Sequence, residues 1–113
     1  MGKFIFGGRA FPSKRAAQEH IDEAVKSEYE ARGGGLSGRD GIAVSAGSGA
    51  YWCLSEILKI HPHRASKTGV GVAGFRIRPS LIGTKGAECL VRRLDGSVVD
   101  MTRKLDKLRG RPP

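Results

Sequence analysis

Residues 61–78 read His-Pro-His-Arg-Ala-Ser-Lys-Thr-Gly-Val-Gly-Val-Ala-Gly-Phe-Arg-Ile-Arg. Pro62 stops a helix that arrives from upstream, because the residue before a proline is pushed out of the helical region. A basic loop punctuated by Gly69 and Gly71 comes next, and it feeds a strand with arginines on alternate positions. Side chains alternate across a strand, so Ala73, Phe75 and Ile77 are expected on one face and Gly74, Arg76 and Arg78 on the other. The strand is expected over 70–78, with two more over 86–93 and 97–101. Between the last two, Leu94-Asp95-Gly96-Ser97 is the strongest hairpin signal in the chain, with Asp-Gly suited to a type I′ turn. Neighbours joined by a tight turn pair antiparallel, so this half of the chain predicts an antiparallel sheet.

Upstream, Tyr51, Trp52, Leu54, Ile57 and Leu58 form an apolar helix that starts at Ser48 and ends near His61. An earlier helix opens at Pro12-Ser13-Lys14 with Ser13 as its N-cap. Ala17, Ile21, Ala24, Val25 and Tyr29 then recur at helical spacing, and Gly33 stops the run. Phe4-Ile5-Phe6 is a short strand closed by Gly7-Gly8, and Ile42-Ala43-Val44 is another candidate strand. Residues 33–49 hold seven glycines and read as a flexible insert. Met101, Leu105 and Leu108 suggest a closing amphipathic helix, and residues 109–113 a disordered tail. Without a repeated strand–helix–strand rhythm, the expected fold class is α+β: a single antiparallel sheet packed by two main helices in one domain, 1–108.

The chain has 113 residues, enough for one core, and no apolar run approaches the roughly 20 residues that span a bilayer. Neither a signal peptide nor a myristoylation site is recognisable at the start, and a cytoplasmic setting without membrane contact is expected. Cys53 and Cys89 lie in apolar segments and lack paired spacing, so reduced core thiols are expected rather than a metal site. Charge is the strongest functional signal. The formal net charge is +9, of which residues 64–113 carry +8 and residues 1–63 only +1. A field of one sign attracts polyanions, so nucleic acid is the leading partner class.

Several motifs compete with that reading and fall short of it. Gly69-Val70-Gly71-Val72-Ala73-Gly74 matches the glycine pattern of dinucleotide sites, yet a helix end precedes it and a strand succeeds it, the reverse of what such a site needs. No Walker A ending closes the glycines of 33–49. His61 and His63 straddle Pro62 at a helix end, where the helix dipole favours a histidine without any metal. No cofactor or metal is therefore expected. His63, Lys67 and Asp95 form a candidate nuclease group, with His63 as general base, but no spacing requires it, and a specific reaction is not supported. Arg109-Gly110-Arg111-Pro112 repeats only the core of an AT-hook.

Taken in order, Phe11-Pro12-Ser13-Lys14, then Leu54, Ile57, Leu58 and His61-Pro62, then Lys67, Gly69, Gly71, Val72 and Phe75, and finally Arg93, Asp95-Gly96-Ser97 and Asp100 resemble the DCL family, named for defective chloroplasts and leaves and also described as a domain of unknown function. The resemblance runs over about residues 3 to 105. The family pattern has a shorter connection between its two helices, so no role carries over to residues 33–49. The resemblance implies a small α+β module with His61, Pro62, Lys67, Gly69 and Gly71 in a motif loop. It also implies a setting in ribosomal RNA maturation or transcription, which favours RNA over DNA. The chain lacks the transit peptide of plastid members, so a bacterial or phage setting is expected.

The sequence thus predicts a non-catalytic module gripping RNA phosphates through Lys67, Arg76, Arg78, Arg92, Arg93 and His63. The rival expectations are a module for an acidic protein partner and an RNA-processing nuclease.

Overall fold

The computed structural model describes residues 3–33, 41–79 and 87–105. In chain order the elements are β1 (Phe4–Phe6), β2 (Arg9–Phe11), α1 (Lys14–Ala31), β3 (Ile42–Ala43), α2 (Gly49–Lys59), α3 (Arg64–Thr68), β4 (Val72–Pro79), β5 (Ala87–Arg93) and β6 (Val98–Met101). The class is α+β, as expected, but the strands make two sheets rather than one. β3-β4-β5-β6 form an antiparallel meander, and β1-β2 a separate antiparallel hairpin. The hairpin owes its tightness to Gly7 and Gly8, both at positive φ, which let Phe6 pair directly with Arg9. Gly7 is also where Trp52 crosses: a Cβ there would stand 2.5 Å from the indole.

Both long helices start and stop where their sequence says. Ser13 Oγ accepts from the Ala16 N–H and Ser48 Oγ from the Tyr51 N–H, each satisfying a donor that the first turn leaves unpaired. Ala17, Ile21 and Val25 of α1 meet Cys53, Leu54 and Ile57 of α2 in one core with Phe75, Ile77, Cys89, Val91 and Met101 of the sheet. The helices therefore cover one face of the meander. Among the described residues no helix is long and apolar enough to cross a membrane.

Three local expectations change. Asp95-Gly96 does not form a type I′ turn: among the described residues none other than glycine has positive φ, and only Gly96 does so here. The Gly96 N–H donates to the Arg93 carbonyl and the Arg93 N–H to the Ser97 carbonyl, which makes a three-residue turn closed by a glycine bulge. The Asp95 carboxylate takes the Ser97 N–H and hydroxyl instead, bonds that hold its pKa below the usual range. Ala73 is exposed, not core-facing, because the β4–β5 register shifts between Val72 and Gly74 and leaves Ala73 as the extra residue. Met101 belongs to β6 rather than to a closing helix, and Leu105 reaches the core beyond an irregular segment. Leu108 and the tail 109–113 lie outside the described residues.

Of the insert expected at 33–49, residues 34–40 also lie outside the described residues. From Gly41 onward the chain is tied to the fold. The Val44 N–H donates to the Phe75 carbonyl, and the Ser45 N–H to the buried Glu28 carboxylate at 2.7 Å.

Cys53 and Cys89 are buried free thiols. Burial pushes the Cys53 pKa up to about 11 and raises that of Cys89 as well. Thiolate is the reactive form, so a thiol reagent such as DTNB should label neither residue in the native protein and both in denaturant. Rapid native labelling would show that this core opens.

Candidate nucleic-acid interface

The strand register assigns each basic side chain to a face. In β4 and β5 the pairs Phe75–Val91 and Ile77–Cys89 are buried under the helices. Arg76–Leu90, Arg78–Glu88 and Gly74–Arg92 must then project from the opposite face. Val98 and Asp100 of β6 extend that face, as partners of Arg92 and Leu90. Leu90 is only 3% exposed although it points away from the helices. It floors a depression of about 360 Å³ that Arg76, Arg78 and Val98 wall. An apolar floor between guanidinium groups suits a ligand with both flat apolar and anionic parts.

The three arginines differ in how far the protein already engages them. An Arg76 Nη donates to the Gly41 carbonyl at 3.2 Å, and Arg78 pairs with Glu88 at 2.8 Å. Arg92 is exposed and makes no side-chain hydrogen bond or ion pair among the described residues. Arg92 is the cation most available to a ligand.

Arg93 and Lys67 are placed differently. Arg93 lies at the end of β5 and closes on α3, donating Nε to the Lys67 carbonyl, Nη2 to the Ser66 carbonyl and Nη1 to the Ser97 hydroxyl. Those bonds tie a five-residue helix, which buries no side chain of its own, to the β5–β6 hairpin. Lys67 is largely covered, and its Nζ lies 3.8 Å from the Asp100 carboxylate. Lys67, expected from the sequence as a phosphate contact, thus has an intramolecular partner.

The motif loop has a steric logic. Gly69 has φ +57°, and a Cβ on it would stand 2.8 Å from Arg93 Nε; a Cβ on Gly71, at φ +132°, would stand 2.5 Å from Leu94. The glycines let Arg93 and Leu94 pack across the loop. His61 is buried, and its Nδ1 accepts the backbone N–H of His63 at 2.9 Å, fixing the corner at the exposed Pro62. The His63 ring is exposed, its centroid 6.0 Å from that of His61. Among the described residues no cluster of three or more metal-ligating side chains occurs. Among the described residues no side-chain hydrogen bond or ion pair joins His63, Lys67 and Asp95: Lys67 Nζ lies near the Asp100 carboxylate, and the Asp95 carboxylate takes the Ser97 N–H and hydroxyl.

Burial, reinforced by Lys67 and His63, lowers the His61 pKa. A depressed folded-state pKa means that the unfolded chain binds the proton more readily. Its contribution to stability is present above the unfolded value of about 6.5 and is lost as pH falls through the folded one. Protonation would also replace the acceptor at Nδ1 by a donor facing the His63 N–H. The melting temperature should therefore fall on acidification below about pH 6.5, and His61→Asn, which keeps an acceptor at that point, should lose part of this dependence. Identical pH profiles for the two proteins would remove His61 as a contributor.

Sequence reasoning missed Arg9, whose guanidinium lies 5.1 Å from the Phe11 ring centroid and 5.7 Å from that of Trp52. The only signal was Gly-Gly before Arg-Ala-Phe, a turn leading into three residues too short to show a period.

No family model matches the chain, and no curated protein does. A solution NMR structure of an uncharacterized protein from Rhodospirillum rubrum is similar to it, with 29% sequence identity and a TM-score of 0.67 over 92% of this chain and 86% of that one. The likeness supports the α+β fold.

Proposed function

We propose that this chain is a DCL-like, cytoplasmic RNA-binding module that grips phosphates on the open face of its four-stranded sheet without catalysing a reaction. The observation that carries the reading is the in-register placement of Arg76, Arg78 and Arg92 on the face that the helices leave uncovered. Of the residues named from sequence, Lys67, Arg93 and His63 take a supporting role at the α3 corner. Among the described residues no aromatic side chain lines this face, so affinity comes from phosphate contacts, with little sequence preference.

Fluorescence anisotropy with a labelled single-stranded RNA tests this between about 50 and 200 mM salt. Three phosphate contacts predict a log–log slope near −2 and roughly a twentyfold loss of affinity over that range. Absence of binding at the low-salt end would overturn the reading.

An acidic protein partner is the second reading, favoured by two large apolar side chains, Val70 and Leu94, exposed by 65% and 66% on adjoining turns. The Leu94 N–H donates to the Gly71 carbonyl, which holds those turns together. Under this reading Leu94→Glu abolishes partner capture.

A further inference from the structure

A second basic recess lies on the helix side of the sheet, away from the arginine face. Tyr51, Ser55 and Lys59 recur every fourth residue of α2 and so form one stripe along it. Arg64 and Thr68 form the matching stripe on α3. The two stripes face each other across a groove of about 320 Å³, floored by Phe75 of β4. This volume lies at the lower end of small-molecule sites, about 300–1,000 Å³.

The lining is chemically mixed in a specific way. Tyr51 is half-buried and stands edge-on to Phe75, with ring centroids 5.1 Å apart at 78°. This fixes the tyrosine ring as one wall. The hydroxyls of Ser55 and Thr68 and the guanidinium of Arg64 make no hydrogen bond or ion pair with other described side chains or backbone. Lys59 is held by Glu56 at 3.0 Å. None of the described residues lining the groove is acidic. A fixed aromatic wall, two hydroxyls and an unpaired guanidinium present one apolar face and one anion-binding edge. Guanidinium groups bind phosphate oxygens through paired, charge-assisted hydrogen bonds.

We infer that the groove between α2 and α3 binds a phosphate monoester carrying a flat ring system, with Arg64 and the Ser55 and Thr68 hydroxyls on the phosphate and the ring beside Tyr51. Two sources share this chemistry: a free nucleoside monophosphate and the 5′-phosphorylated end of an RNA. The inference does not require the sheet face to bind RNA.

Titration of ¹⁵N-labelled protein with adenosine 5′-monophosphate, monitored by heteronuclear NMR, is the test, with adenosine and inorganic phosphate as controls. Saturable shifts are expected at Tyr51, Ser55, Arg64 and Thr68, with each control binding more weakly. Arg64 is exposed, so Arg64→Ala should fold normally and weaken binding by about tenfold or more. An RNA oligomer with and without a 5′-phosphate separates the sources. A preference for the phosphorylated end that Arg64→Ala erases identifies the RNA terminus, whereas equal binding of the two oligomers leaves the free nucleotide. The inference is overturned if neither the monophosphate nor the 5′-phosphate shifts the groove, or if the shifts map to Arg76, Arg78 and Arg92 instead. RNA binding at the sheet face with no response in the groove would sink this inference alone.

Discussion

Replacing Arg76, Arg78 and Arg92 together by Ala should all but remove the salt dependence of RNA binding. Each phosphate contact on a single strand contributes about 0.7 to the slope of log K against log salt. The triple variant should therefore lose roughly two units of slope and bind at most weakly even at low salt. Single variants should differ, because the protein engages the three side chains unequally. Arg92 makes no ion pair among the described residues, so its loss should approach the full increment. Arg78 is held by Glu88, so its contribution is muted. Glu88→Gln should accordingly tighten binding, by freeing Arg78 and removing a repulsive charge from the face. Each variant is measured by anisotropy across the salt range, with circular dichroism to verify folding. A triple variant that binds like the wild type would move the interface elsewhere on the molecule.

Gly69→Ala and Arg93→Ala should be the most damaging changes to stability at the α3 corner. In Gly69→Ala the new methyl would meet Arg93 Nε at 2.8 Å, on a backbone with φ +57° and ψ −125° that L residues avoid. Backbone strain of this kind costs about 1–3 kcal/mol. Arg93→Ala leaves the Ser66 and Lys67 carbonyls without their donor. Hydrogen bonds to charged groups are worth about 1.5–3 kcal/mol each, toward the low end here because the corner is partly exposed. For a domain of this size either change should lower the melting temperature by on the order of 10 °C. Both act on the same contact, so the double variant should cost clearly less than the sum. Strict additivity in thermal unfolding would show that Gly69 and Arg93 act independently. Arg93→Lys should rescue little, since an ammonium cannot span two carbonyls and a hydroxyl as the planar fork does.

Much was legible because it rests on local chemistry. Ser13 and Ser48 announced the starts of α1 and α2, since a cap needs only a hydroxyl ahead of an apolar period. Gly33 and Pro62 announced their ends. Alternation of Phe75-Arg76-Ile77-Arg78 assigned the two faces of β4 before any partner strand was known, and the placement of Arg76 and Arg78 on the uncovered face derives from it. A one-residue register slip would have reversed both, and the buried Phe75 and Ile77 forbid it.

What the tertiary structure alone decided concerns long-range partners. Nothing local marks which arginine is available: Arg92 and Arg93 are adjacent and alike in sequence. Yet alternation sends one to the open face and the other under α3, where two carbonyls from residues 26 and 27 positions earlier in the chain wait for it. Pairing with Asp100 likewise accounts for Lys67, and a bulge at Ala73 breaks the alternation that the strand pattern promised. The groove between α2 and α3 has no sequence signature, because its walls come from two helices whose stripes face each other only after Pro62 turns the chain. The local code determines which elements form and which side each residue faces. Which charges stay free for a ligand depends on what the folded chain brings beside them.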